Sequence, residues 1–183
     1  MRRGFYVGRF QPYHDGHHWM VERILDEVDE LVVAVGSADA SHTPRNPFSA
    51  GERVTMIQRT LAAYEQVTYT VPIEDIDRNA VWVGHVRSMV PRFDVAYSNN
   101  PLVARLFEEA GVEVRGMAMH ERDRLEGATV RDRMRDGGDW RALVPEAVAG
   151  VIDEIDGVER LRAIHGTDGG VRETTDAGDG AEP

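Results

Sequence analysis

Leu31-Val32-Val33-Ala34-Val35 is an unbroken apolar run closed by Gly36. A strand that is apolar toward both sides must be covered on both sides, the condition of a parallel strand between helical layers. The flanking sequence agrees. Gly4–Gly8 predicts another buried strand, and a helix from about Gly16 carries Val21, Ile24, Leu25 and Val28 on one face. Ser49-Ala50-Gly51-Glu52 is a capping-box pattern opening a helix through Val54, Ile57 and Leu61. Val67–Val71 predicts a strand, Asn79–Val90 a helix and Phe93–Tyr97 a short strand. Asn100 caps a further helix, with Pro101 at its first position and Gly111 at its end, and Val112–Val114 is the last expected strand.

This alternation predicts an α/β fold: a single Rossmann-like open parallel sheet with helices on both faces and a short helical C-terminal part from about Gly127 to Ile164. Residues 1–165 are expected as one domain. Residues 166–183, mostly Gly, Asp and Thr, are expected as a disordered acidic tail. In such sheets ligands sit beyond the carboxyl ends of the strands, where the strand order reverses. The loops after Val7, Val35 and Tyr97 are therefore the places to look for chemistry.

Charge narrows the function. The chain has 32 acidic residues against 21 basic ones, a net charge of −11, and every basic residue is arginine. A nucleic-acid binder needs a basic surface, so that class is disfavoured. Acidic side chains hold hydration, which fits a high-salt cytoplasm; compositional drift is the plainer source of the missing lysine. No apolar run is long enough to span a bilayer, so no membrane partner is expected. The first strand starts so early that it leaves no room for a signal peptide, and cysteine is absent; both point to a cytoplasmic location.

Gly8-Arg9-Phe10-Gln11-Pro12-Tyr13-His14-Asp15-Gly16-His17 leaves the first strand and enters a helix, where backbone N–H groups favour phosphate. It has neither the P-loop pattern nor G-x-G-x-x-G. Instead, His14 and His17 stand three residues apart across Gly16, on one face of a first helical turn, so both can point at one phosphate. Gly16 lets the backbone approach the ligand. A metal site on this spacing lacks a third ligand nearby, and none is predicted. His18 is expected outside the phosphate site.

This segment resembles the HxGH signature of the nucleotidylyltransferase superfamily. The fuller GRFQPYHDGHH, with GSADASHTPRNPFSAGER, IEDIDRNAVWVGH, YSNNPLVARLFEEAG, VRDRM and LVPEAVAGVIDEIDGVERL following in order, is similar to archaeal nicotinamide-nucleotide adenylyltransferases. The resemblance implies adenylyl transfer from ATP to nicotinamide mononucleotide (NMN), giving NAD+ and pyrophosphate. It implies Mg2+ with ATP and a homo-oligomer. His14, His17, Arg45 and Arg131 would be catalytic. Gly8, Arg9, Phe10, Gln11, Gly16, Tyr97, Asn99, Asn100 and Thr129 would bind ATP, with Asn99 suited to a left-handed turn. Asp75, Ile76, Asn79 and Trp82 would hold NMN, whose flat cationic ring stacks well on an indole.

One departure stands at Glu126-Gly127-Ala128-Thr129-Val130-Arg131, where such relatives resemble S-G-T-x-[IV]-R. Glu126 replaces the expected Ser and Ala128 the expected Thr. Two further readings stay open: an adenylyl- or cytidylyltransferase with another acceptor (FMN, phosphopantetheine, a polyol phosphate), and a non-catalytic nucleotide sensor.

Overall fold

The computed structural model describes residues 1–117 and 126–168. Its centre is a five-stranded, wholly parallel sheet in the order β3-β2-β1-β4-β5. The strands are β1 (Arg3–Gly8), β2 (Glu30–Val35), β3 (Val67–Pro72), β4 (Val95–Tyr97) and β5 (Glu113–Arg115). The helices are α1 (Asp15–Leu25), α2 (Ala50–Leu61), α3 (Asn79–Met89), α4 (Pro101–Glu109), α5 (Gly127–Asp136), α6 (Glu146–Glu154) and α7 (Gly157–Asp168).

β2 is buried at every residue, as its apolar run requires. Alternation along the strands splits the core in two. Tyr6, Leu31, Val33 and Val35 face α1, α2 and α5–α7, while Phe5, Val32, Ala34 and Ala96 face α3 and α4. The chain thus builds outward from β1 in one direction and then crosses over to build in the other, which places the switch point between β1 and β4.

Local signals behave as the sequence predicts at α2, where Ser49 accepts from the Glu52 amide and the Glu52 carboxylate answers the Ser49 amide at 2.8 Å. The same carboxylate pairs with Arg160 of α7 at 2.7 Å, tying the C-terminal helices to α2. Asn100 caps α4 through Leu102 and Val103, and Gly111 turns the chain at φ 72.

Elsewhere the expected bounds shift. Val90 is extended and closes α3. β4 is shorter than Phe93–Tyr97: its pairing with β1 begins at Val95, and the Phe93 ring, ahead of the ladder, stacks on Phe5 at 4.6 Å. β5 sits one residue later than expected. α7 reaches Asp168, three residues into the expected tail; 169–183 lie outside the described residues.

Candidate active site

A cavity of about 400 Å3 opens beyond the carboxyl ends of β1 and β4. The loop after β1, the first turn of α1, Ser98–Asn100 and the start of α5 wall it. His14 is the N-cap of α1 and His17 occupies its third helical position, so both rings leave one turn. They stack with centroids 3.6 Å apart. The His14 amide donates to His17 Nδ1 at 3.3 Å, which makes Nδ1 an acceptor and puts the proton of a neutral His17 on Nε2. His14 is 5 % exposed, and its Nδ1 is buried without a partner among the described residues. Burial, then the Arg131 charge, pushes the His14 pKa down to about 4. Burial, then His14, also pushes His17 down. Both rings are neutral near pH 7 and can donate to an anion without carrying charge themselves.

Two guanidiniums, Arg9 and Arg131, line the cavity with this pair, and the charge of a third, Arg45, acts on both. Arg131 rises from α5 and donates to the Gln11 carbonyl at 2.7 Å. Gly127 makes room for that reach, since a Cβ there would lie 3.2 Å from Arg131 Nη1 and 3.3 Å from the Gln11 oxygen. Burial and then Arg9 lower the Arg131 pKa, and burial and then Arg45 lower that of Arg9. Arg45 itself is exposed on the loop after β2 and lies outside the cavity wall. Like charges gathered in a chain of net charge −11 describe a place made for an anion with several charges. Glu126 is the one carboxylate in the described wall.

Other predicted residues have different employment. Gln11 is 3 % exposed and its amide bonds both ways to the Phe48 backbone, at 2.8 and 3.0 Å, so it clamps two loops although it touches the cavity. Asn99 likewise clasps Met117 at 2.8 and 2.9 Å. It is not left-handed: the non-glycine residues with positive φ among those described are Phe10, Ser37, His42 and Asp156. Tyr97 is buried with its hydroxyl on Glu27 at 3.0 Å, and neither it nor Thr129 lines the cavity. Gly8, on β1, has no room for a Cβ, which would meet the folded-back Phe10 ring at 2.8 Å. His18 lies outside, between the Tyr13 and Tyr64 hydroxyls.

Asp75, Ile76, Asn79 and Trp82 also stand outside the cavity wall. Asp75 acts electrostatically on Arg9, and its amide donates to the Asp39 carboxylate at 3.2 Å. The partly buried Trp82 packs edge-on against Phe107, ring centroids 5.3 Å apart.

Arg53 is given no role in the site by any sequence motif. It is wholly buried, and four backbone carbonyls accept from its guanidinium. Its signal is a charge on the apolar stripe that also carries Met56, Ile57 and Leu61 of α2.

The profile of the cytidylyltransferase-like family matches residues 5–142. Among curated relatives, nicotinamide-nucleotide adenylyltransferases from Halorubrum lacusprofundi and Halobacterium salinarum are 63% and 64% identical, covering 96% and 92% of this chain and 99% and 95% of their own. That from Methanothrix thermoacetophila is 59% identical over 90% of this chain and 96% of its own. The chain belongs to the cytidylyltransferase-like family, in its nicotinamide-nucleotide adenylyltransferase branch. A solved structure of a bifunctional NMN adenylyltransferase/ADP ribose pyrophosphatase from Francisella tularensis matches this adenylyltransferase-like fold with a TM-score of 0.71 at 16% identity, covering 91% of this chain. The chain spans about half (54%) of that protein's length. The same protein complexed with AMP and a manganese ion matches at 0.68 with 17% identity, over 91% of this chain and 53% of that one. The lysine-free acidic composition fits the halobacterial source of the first two relatives. Among the described residues no helix is long and apolar enough to cross a membrane.

Proposed function

We propose that the protein transfers the adenylyl group of ATP to NMN, forming NAD+ and releasing pyrophosphate. The observation that carries this reading is the neutral histidine pair beside Arg9 and Arg131 at the switch point, in a chain more than 60% identical to curated nicotinamide-nucleotide adenylyltransferases. A phosphate oxygen of NMN attacks the α-phosphorus of ATP in line. A new P–O bond forms, the bond to the β-phosphate breaks, and pyrophosphate departs with that electron pair.

His17 Nε2–H and the His14 ring donate to the α-phosphoryl oxygens as charge grows there. Such preorganised donors matter most in a site that excludes water. Arg9, Arg45 and Arg131 take the polyphosphate, with Phe10, Gln11, Gly16, Asn99 and Asn100 shaping its walls and Gly8 leaving room for the Phe10 ring. Tyr97 and Thr129 support that shape from outside. Asp75, Ile76, Asn79 and Trp82 hold the nicotinamide end.

Among the described residues no three His, Cys, Asp or Glu side chains converge. A magnesium ion fits here as the companion of phosphate oxygens and water, with no protein cage. When bound, it neutralises part of the polyphosphate charge. A cytoplasmic location, a homo-oligomeric state and a preference for high salt complete the proposal.

The test is pyrophosphate release from ATP and Mg2+ with NMN, nicotinate mononucleotide, FMN or phosphopantetheine, at low and molar salt. NAD+ formed in step with pyrophosphate is the expected result. Release with a different acceptor alone overturns the nicotinamide assignment; ATP binding without release overturns catalysis. His14→Ala should lower kcat by roughly 100- to 1000-fold while leaving the affinity for NMN near normal.

A further inference from the structure

Arg53 contributes no atom to the cavity wall, yet it joins the segments that build it. Nη1 donates to the carbonyls of Arg9 and Gly36, both at 2.8 Å. Nη2 donates to Ser37 at 3.0 Å and Nε to Ser49 at 3.1 Å. One guanidinium therefore ties the loop after β1, the loop after β2 and the start of α2. Two of those carbonyls belong to the peptides leading into Phe10 and Ser37, which hold φ values of 51 and 49. Arg53 thus grips both loops where each makes a left-handed turn at a non-glycine residue. The Asp39 and Asp75 charges also act on it, and the Asp39 carboxylate in turn accepts from the Asp75 amide.

We infer that Arg53 is a positioning residue that sets the histidine loop after β1 against the loop after β2 that carries Arg45, aligning the transferring phosphate with its acceptor for in-line transfer. The inference rests on the proposed adenylyl transfer. Its physical basis is that a displacement of about 1 Å between reacting groups costs on the order of 100-fold in rate, while each substrate still finds its own half of the site. A guanidinium suits the position because its fixed fork serves several acceptors at once, which an ammonium cannot reproduce.

The experiment uses the full chain with Arg53→Met and Arg53→Lys, each checked for native fold by circular dichroism and thermal unfolding. The wild type is assayed first: no NAD+ from it would sink the function itself, independently of Arg53. In the variants, separately measured Kd values for NMN and a non-hydrolysable ATP analogue should move less than roughly threefold, while kcat falls on the order of 100-fold in Arg53→Met and less in Arg53→Lys. Should Arg53→Met fail to fold, a cycle of Arg53→Lys with Arg9→Ala decides, because groups acting through one another are not additive. A smaller kcat loss from Arg53→Lys in the Arg9→Ala background is expected. Unchanged kcat per folded molecule, losses confined to Kd, or full additivity overturns the inference.

Discussion

His14 and His17 lie ring over ring, 3.6 Å between centroids, with Arg131 acting on the first of them. Burial first, then Arg131 beside His14 and His14 beside His17, keep the pair neutral in the folded chain. His14 is held at about 4 against an ordinary value of 6.5. Above the ordinary value neither folded nor unfolded chain is protonated there, and nothing is lost. As pH falls from there toward the folded value, the unfolded chain takes up a proton that the folded chain refuses. Stability then falls by about 3 kcal/mol through His14 alone. Denaturant unfolding from neutral to acidic pH reads this slope, and His14→Asn should flatten it. A slope indifferent to that substitution refutes the account.

Gln11→Ala should act on stability. It removes both buried partners of the Phe48 backbone, and unsatisfied groups of that kind cost about 1–3 kcal/mol each. Urea unfolding at neutral pH measures it; a loss below about 0.5 kcal/mol means that the clamp is replaced by water.

Trp82→Leu keeps an apolar body against Phe107 but removes the indole face. If that face stacks on the nicotinamide, KM for NMN rises roughly 2- to 30-fold, the equivalent of ~0.5–2 kcal/mol, with KM for ATP unchanged. Steady-state kinetics with each substrate varied separates the two. Equal changes in both would return Trp82 to the core.

Glu126 places a carboxylate in a wall otherwise suited to phosphate. Glu126→Ser should lower KM for ATP by a few fold at low ionic strength, and the gain should shrink in molar salt, where the Debye length is about 3 Å. An unchanged or higher KM at low salt shows that the carboxylate assists nucleotide binding.

Much of this was legible because local rules and tertiary structure agree. The apolar run of β2, the capping box at Ser49 and the Asn100-Pro101 start of α4 each name their own structure. The histidine loop was legible for the same reason, since His14 and His17 are neighbours through one helical turn. What could not be read was employment at a distance. Gln11 and Phe48 are 37 residues apart and Arg53 and Arg9 are 44 apart, and no local pattern records that such groups meet. At Asn99 the side chain secures the Met117 backbone, so the turn needs no left-handed residue there. The residues expected at the nicotinamide end are outside the cavity wall, on the loop after β3 and the start of α3, whose approach depends on the whole sheet.

The Glu52 carboxylate serves the start of α2 and Arg160 of α7 together, and the next residue is Arg53. The C-terminal helices are thereby wedged against the helix that braces the reacting end of the sheet. A chain cut short before Arg160 keeps every side chain lining the cavity and loses that wedge. Truncation tolerance should therefore end well inside α7, at a residue that never meets a nucleotide.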